Sequence, residues 1–144
     1  MSLESITKTI AQIVAGDAAS AKASKNRGWI VGHFMPDGTL AHNTEMEIKL
    51  WHYDEDPNYG LKVFTGTEFI VVEKGTLLIE LEIPSVIAGE LPHKHGITLR
   101  GASREWAIIP PNCTKRAIVI QAPAWGVTVR WPSAPGVNKV LTKG

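Results

Sequence analysis

The sequence has a single cysteine, Cys113, among 144 residues. An intramolecular disulfide is therefore excluded, and a lone thiol fits a reducing compartment. Long apolar runs are missing as well. The N-terminal stretch from Ile10 to Ala15 is interrupted by Gln12 and too short for a secretory signal, and nothing reaches the length of a membrane span. A cytoplasmic location without a membrane partner is the expectation. An excess of one charge is also absent: fifteen basic and fourteen acidic side chains leave a formal charge of +1. A nucleic-acid partner is therefore not expected, and the basic cluster from Lys22 to Arg27 reads as a solvated linker. There is no internal repeat, low-complexity tract or alternation of strands with helices, which argues against solenoids and parallel α/β folds.

What is present is an ordinary globular composition, 44% hydrophobic and 20% charged, in a chain of single-domain length. Leu3, Ile6, Ile10, Ile13 and Val14 recur at helical spacing, with Ser2 as N-cap and Gly16 as a stop. Residues 17–27 either continue that helix or link it onward, so 1–27 form an N-terminal helix and linker and 28–144 the main domain. From Gly28 short alternating runs take over. Strands are expected at 29–35, 45–51, 61–65, 67–73, 76–83, 97–99, 106–109, 115–121 and 125–131. Glu73-Lys74-Gly75 reads as a hairpin turn, residues 84–96 as a loop, and Pro132 as the start of a tail. In the second strand Met46, Ile48 and Leu50 share one face and Glu45, Glu47 and Lys49 the other. Some nine short strands with close turns make an all-β sandwich or barrel.

Two runs resemble a known family. Thr67 to Gly75 places Glu68 seven positions before a glycine, as at the end of the first cupin motif. Ile97 to Gly101 followed by Ala107 to Asn112 is similar to the second motif, with a few more residues than usual between the glycine and the proline turn. Gly32-His33-Phe34, Glu47-Ile48-Lys49 with His52, and Val127 to Ser133 are similar to a group of short bacterial cupin-like proteins. The resemblance implies a jelly-roll barrel, and a homodimer, since such barrels commonly pair through a sheet face and the N-terminal helix offers an uncovered apolar stripe.

The family's metal sites use His-x-His, a glutamate and a third histidine, a donor set suited to iron, manganese, nickel or zinc. Carried onto this chain, the His-x-His positions fall on Lys62 and Phe64. The third histidine falls on Lys115, or on Arg116 if the register slips by one, and only Glu68 remains. An ammonium and a phenyl ring cannot ligate a cation, so no metal and no cofactor are expected. Lys62 would instead pair with Glu68, as an acid/base or ligand-gripping pair or as a structural ion pair. With Lys115 or Arg116 added, the pocket would favour a small polar or anionic organic ligand, such as a carboxylate or sugar phosphate. Isomerase or epimerase chemistry would be possible, although the epimerase branch's His–Asp and Tyr constellation is not found. Trp51, Trp106, Trp125 and Trp131 could stack a sugar ring at a barrel mouth, but Trp125, Val127, Val129 and Trp131 alternate as a buried face should, which favours core or dimer packing. Two other readings stand beside this one. A metal-dependent dioxygenase or isomerase would use His33, His52 and Glu68, with His42 as a further candidate ligand. A non-catalytic interaction or sensing module would use none of these. His93-Lys94-His95 has ligand spacing but is expected in an exposed loop, and Cys113 reads as a plain thiol.

Overall fold

The computed structural model describes residues 2–135 and 138–140. Helix α1 (Leu3–Gln12) is capped by Ser2, whose hydroxyl accepts from the Ser5 N–H. Its apolar stripe touches little: Leu3 is 79% and Ile10 61% exposed. Residues 17–27 neither extend this helix nor form a plain linker. Asp17 accepts from the Ser20 N–H at 2.8 Å and starts a second short helix, α2 (Ala18–Ala23). This helix lies against β1 (Trp29–Val31) and β2 (Glu47–Tyr53).

The remaining strands are β3 (Lys62–Phe64), β4 (Thr67–Ile83), β5 (His93–Arg100), β6 (Trp106–Ile109), β7 (Thr114–Trp131) and β8 (Asn138–Val140). The molecule is a mostly antiparallel β fold, and β4 and β7 are its spine. They pair along nearly their whole length, from Thr67↔Trp131 to Glu82↔Thr114. The far side of β7 carries β2 on one half and β3 on the other; the far side of β4 carries β6 and β5.

Several expectations need correction. Strand 29–35 stops at Val31, because the chain turns at Gly32. The predicted hairpin at Glu73-Lys74-Gly75 is a bulge inside one continuous strand, and 115–121 and 125–131 are likewise one strand. Gly75 has φ +79°, and a Cβ there would stand 2.5 Å from the carbonyl oxygens of Gln121 and Pro123. The glycine lets the two long strands bend past each other while still paired, as a bulge does. Strand β5 begins at His93, so His93-Lys94-His95 lie on an exposed strand end rather than in a loop. The segment after Pro132 does not remain a tail, since β8 pairs with β3.

The larger correction concerns which face is inside. Ala124, Gly126, Thr128 and Arg130 are the buried positions of the second half of β7, whereas Trp125 is 38% and Trp131 40% exposed. On β2 the buried face includes Glu47 and Trp51, not Met46, Ile48 and Leu50. Alternation is as the sequence predicts, but the polar face of this end points in. The outer face is apolar instead. There Ile48 stands across from Val129, Val129 from Phe69, and Phe69 from Ile108. The other half of the barrel obeys the usual sign: Leu77, Ile79, Leu81, Leu99 and Val119 form the apolar core with Val72.

Candidate functional site

Strand pairing sets the site. Arg130 on β7 stands opposite Glu47 on β2 and opposite Glu68 on β4, so three ionisable side chains form one inward row across three strands. Arg130 Nε donates to Glu68 Oε2 at 2.9 Å, and its Nη1 lies 3.8 Å from Glu47 Oε1. The guanidinium is flanked by the rings of Trp29 at 4.9 Å and Phe64 at 5.2 Å from their centroids. Lys115 contacts the other oxygen of Glu68. Both carboxylate oxygens of Glu68 are thus occupied. Burial alone would raise its pKa, but Lys115 and Arg130 outweigh burial and hold it below the usual carboxylate range. Burial, partly opposed by Glu68, brings Lys115 down to about 8.

Two residues along β2 from Glu47, Lys49 enters the same space. Its amine lies 3.4 Å from the Tyr53 hydroxyl, which bonds the Tyr59 hydroxyl at 3.0 Å. The rings of Trp29, Tyr53 and Tyr59 surround it at 5.7, 6.0 and 5.9 Å from their centroids. Burial first, then the charges of Lys62 and Arg130, push Lys49 down to about 8. Burial and the bond to Tyr59 push the Tyr53 hydroxyl up, so it stays protonated. Lys62 sits over the Tyr59 ring at 4.4 Å and is also lowered, by burial and then by Arg130. Among the described residues no carboxylate forms an ion pair with Lys49 or Lys62.

These groups line a cavity of about 70 Å³, together with Trp51, Ile70, Leu77, Ile79 and Thr128. That is room for several waters, and far below the roughly 300 Å³ where drug-sized pockets begin. The Trp51 indole N–H is buried and has no acceptor among the described residues. Trp51 reaches this position because Gly126 lies beneath it; a Cβ on residue 126 would stand 2.5 Å from the indole. The cavity wall therefore holds Lys49, Lys62, Lys115, Arg116 and Arg130 against one carboxylate, Glu68, and an unused N–H donor; Arg116 is paired beyond the cavity with Glu80.

The structure brings Glu68, Lys62, Phe64 and Lys115 together, but corrects their roles. Lys62 does not pair with Glu68, because Lys115 and Arg130 take both of its oxygens. Of the two register choices, Lys115 meets Glu68 inside; Arg116 also borders the cavity, but its guanidinium reaches outward to Glu80 at 2.6 Å. Phe64 is a ring beside Arg130 rather than an open ligand contact. Trp106 is 60% exposed against Phe69 on the outer face, outside the cavity. His52 stacks on Trp125 and bonds Asp54 at 3.1 Å, also outside. His33 takes a third position. Its backbone N–H and ring Nδ1 both meet Ser133 Oγ, and that hydroxyl donates to Glu47 at 2.9 Å. With its only proton given to Glu47, the hydroxyl accepts from Nδ1–H. His33, His52 and Glu68 do not converge, and among the described residues no group of three His, Cys, Asp or Glu side chains could hold a metal. The donor set at the family's metal positions does not fit a cation. Cys113 is a buried core thiol.

Sequence reasoning missed Arg130, Lys49, Tyr53 and Tyr59. The signal lay in period two: Glu47, Lys49, Trp51 and Tyr53 share one face of β2, and the two aromatics mark that face as the buried one.

No family model and no curated protein matches the chain. Solved structures do. An oxalate oxidase in complex with the substrate analogue glycolate superposes with a TM-score of 0.58 at 17% identity, over 89% of this chain and 60% of that one. The chain has a cupin fold. A Bacillus halodurans protein gives a TM-score of 0.52 at 12% identity, over 89% of this chain and 86% of that one. The dTDP-4-dehydrorhamnose 3,5-epimerase of Elizabethkingia anophelis gives 0.51 at 10% identity, over 73% and 59%. The chain thus spans about 60% of the length of the oxidase and the epimerase. No helix is long and apolar enough to cross a membrane.

Proposed function

We propose that this cupin barrel is a metal-independent pocket for a small organic carboxylate. The observation that carries it is the imbalance in the cavity. Lys115 and Arg130 are paired with Glu68, while among the described residues Lys49 and Lys62 have no carboxylate partner and the Trp51 N–H has no acceptor. Buried cations without a counter-charge and a buried donor without a partner are both costly, and an anion with several acceptor oxygens would answer all three groups. The small volume favours short acids over sugar phosphates or stacked sugars. Acetate, oxalate and glycolate should raise the melting temperature of the protein at low ionic strength, and Lys49→Met with Lys62→Met should abolish the rise. A wild-type melting temperature indifferent to all three acids across the millimolar range would overturn the reading.

A homodimer belongs to the same proposal. Its support is the apolar outer face of β2, β7, β4 and β6, where Trp106 is 60% and Ile108 54% exposed. A light-scattering mass of one chain, 15.7 kDa, at micromolar concentration would reject it.

A further inference from the structure

We propose that the Lys49 amine is a nucleophile that captures the carbonyl carbon of a short 2-oxo acid as an imine, while Lys62 holds the acid's carboxylate. The inference rests on the anion-pocket reading and goes beyond it, from reversible ion binding to covalent capture. Its first support is the division of labour among the five cations that line the cavity, of which Arg116 is paired with Glu80. Lys115 and Arg130 neutralise Glu68, and the two remaining amines meet at one ring, Tyr59, 5.9 Å and 4.4 Å from its centroid. An acid bearing a neighbouring carbonyl offers one group to each amine. Its second support is the setting of Lys49. Three aromatic rings enclose it, Lys62 and Arg130 repel its charge, and among the described residues no carboxylate forms an ion pair with it. Desolvation and a neighbouring cation are the two devices that turn a lysine into a carbonyl nucleophile. With a pKa near 8, Lys49 holds roughly a hundredfold more neutral amine at pH 7 than a surface lysine.

The third support is a proton path. The Tyr53 hydroxyl is 3.4 Å from the amine and continues to the Tyr59 hydroxyl, 3.0 Å further. In the step itself the Nζ lone pair forms a bond to the carbonyl carbon, and the carbonyl π pair moves to oxygen. The two amine protons reach that oxygen through the hydroxyl pair, and it leaves as water. The nitrogen–carbon double bond closes behind it. Atoms and electrons balance without an oxidant or reductant. The cavity of about 70 Å³ confines the substrate to the shortest acids.

Borohydride trapping tests this. The full chain is incubated with glyoxylate or pyruvate at pH 7, reduced, digested and mapped by mass spectrometry. One reduced adduct per chain is expected, on Lys49, in at least about tenfold excess over any surface lysine, and Lys115 is spared because Glu68 holds its amine. Acetate should protect Lys49 from labelling, and Lys49→Arg should remove the adduct. Adducts spread over surface lysines, or placed on Lys62 or Lys115, would overturn the assignment. A melting temperature raised by acetate with no Lys49 adduct would leave the anion pocket standing and remove the imine. Neither response would remove both.

Discussion

Lys115 and Arg116 are neighbours in the chain and carry the same charge, and the barrel treats them oppositely. Lys115 turns inward, where its side chain is 11% exposed and that of its partner Glu68 4%. Arg116 turns outward to Glu80, and that pair is 37% and 42% exposed. Bringing an ion in from water costs several kcal/mol, so an inward charge persists only with good partners. Glu68 has two, Lys115 and Arg130, and Arg130 in turn reaches a second carboxylate, Glu47. The outward pair needs no such support and contributes little. A one-residue step along a strand therefore separates a charge the fold depends on from one it barely registers.

The largest effect should come from stranding the inward carboxylate. Lys115→Ala or Arg130→Ala leaves Glu68 with one cation in a buried site, at an expected loss of about 3–5 kcal/mol in denaturant unfolding. Lys115→Met combined with Glu68→Gln should cost less than the sum of its singles, because both charges leave together. Lys62→Ala should cost well under that, since Lys62 has no carboxylate to strand. A Lys62→Ala loss as large as that of Lys115→Ala would reverse the assignment of Glu68's partner.

Next in size is a pH effect that sharpens the same contrast. The folded pKa of Lys49 lies at about 8, below the unfolded value near 10.4. Between those two values the unfolded chain binds more protons, so stability rises with pH across that window. The groups facing this amine are Lys62, Lys115 and Arg130, which lower it further, Glu68, which opposes them, and the Tyr53 and Tyr59 hydroxyls. Wild type should gain on the order of 2 kcal/mol relative to Lys49→Met between pH 8 and 10.5. Parallel curves for the two proteins would mean that Lys49 is solvated.

Most strands were legible from alternation and turn residues, and β6 matches its expected limits. What alternation cannot carry is sign. Glu47 and Lys49 share a face with Trp51 and Tyr53, whereas Met46, Ile48 and Leu50 look like the better core. The barrel buries the first set because Arg130 and the aromatic rings satisfy it, and part of the second is covered by α2. The same ambiguity left Trp125 to Trp131 open between core and dimer packing, and the exposure of Trp125 and Trp131 removes the core reading. Glu68 was found because motif spacing marks it, and Lys115 because it sits where a ligand histidine would. Arg130 was hidden, since its role comes from pairing across sixty-two residues, which no local pattern reveals. The choice between Lys62 and Lys115 as Glu68's partner was equally hidden. Both align with ligand positions, and only side-chain direction separates them.

The smallest effect is expected on the outer face, and it tests whether that face is wet. Arg116 approaches Glu80 with two nitrogens, Nε at 3.2 Å and Nη2 at 2.6 Å, but both address the same oxygen. The fork therefore lacks the two parallel bonds that make such pairs strong. The half-exposed side chains lie beside an open groove lined by Leu61, Leu78 and His95, where salt can screen them. A double-mutant cycle of Arg116→Ala and Glu80→Ala should give a coupling under about 1 kcal/mol, falling further as salt is added. A salt-independent coupling of about 2 kcal/mol or more would show that the groove is covered in solution. Arg116 would then be bound to its partner as firmly as Lys115 is to Glu68, and the contrast between the two neighbours would fail.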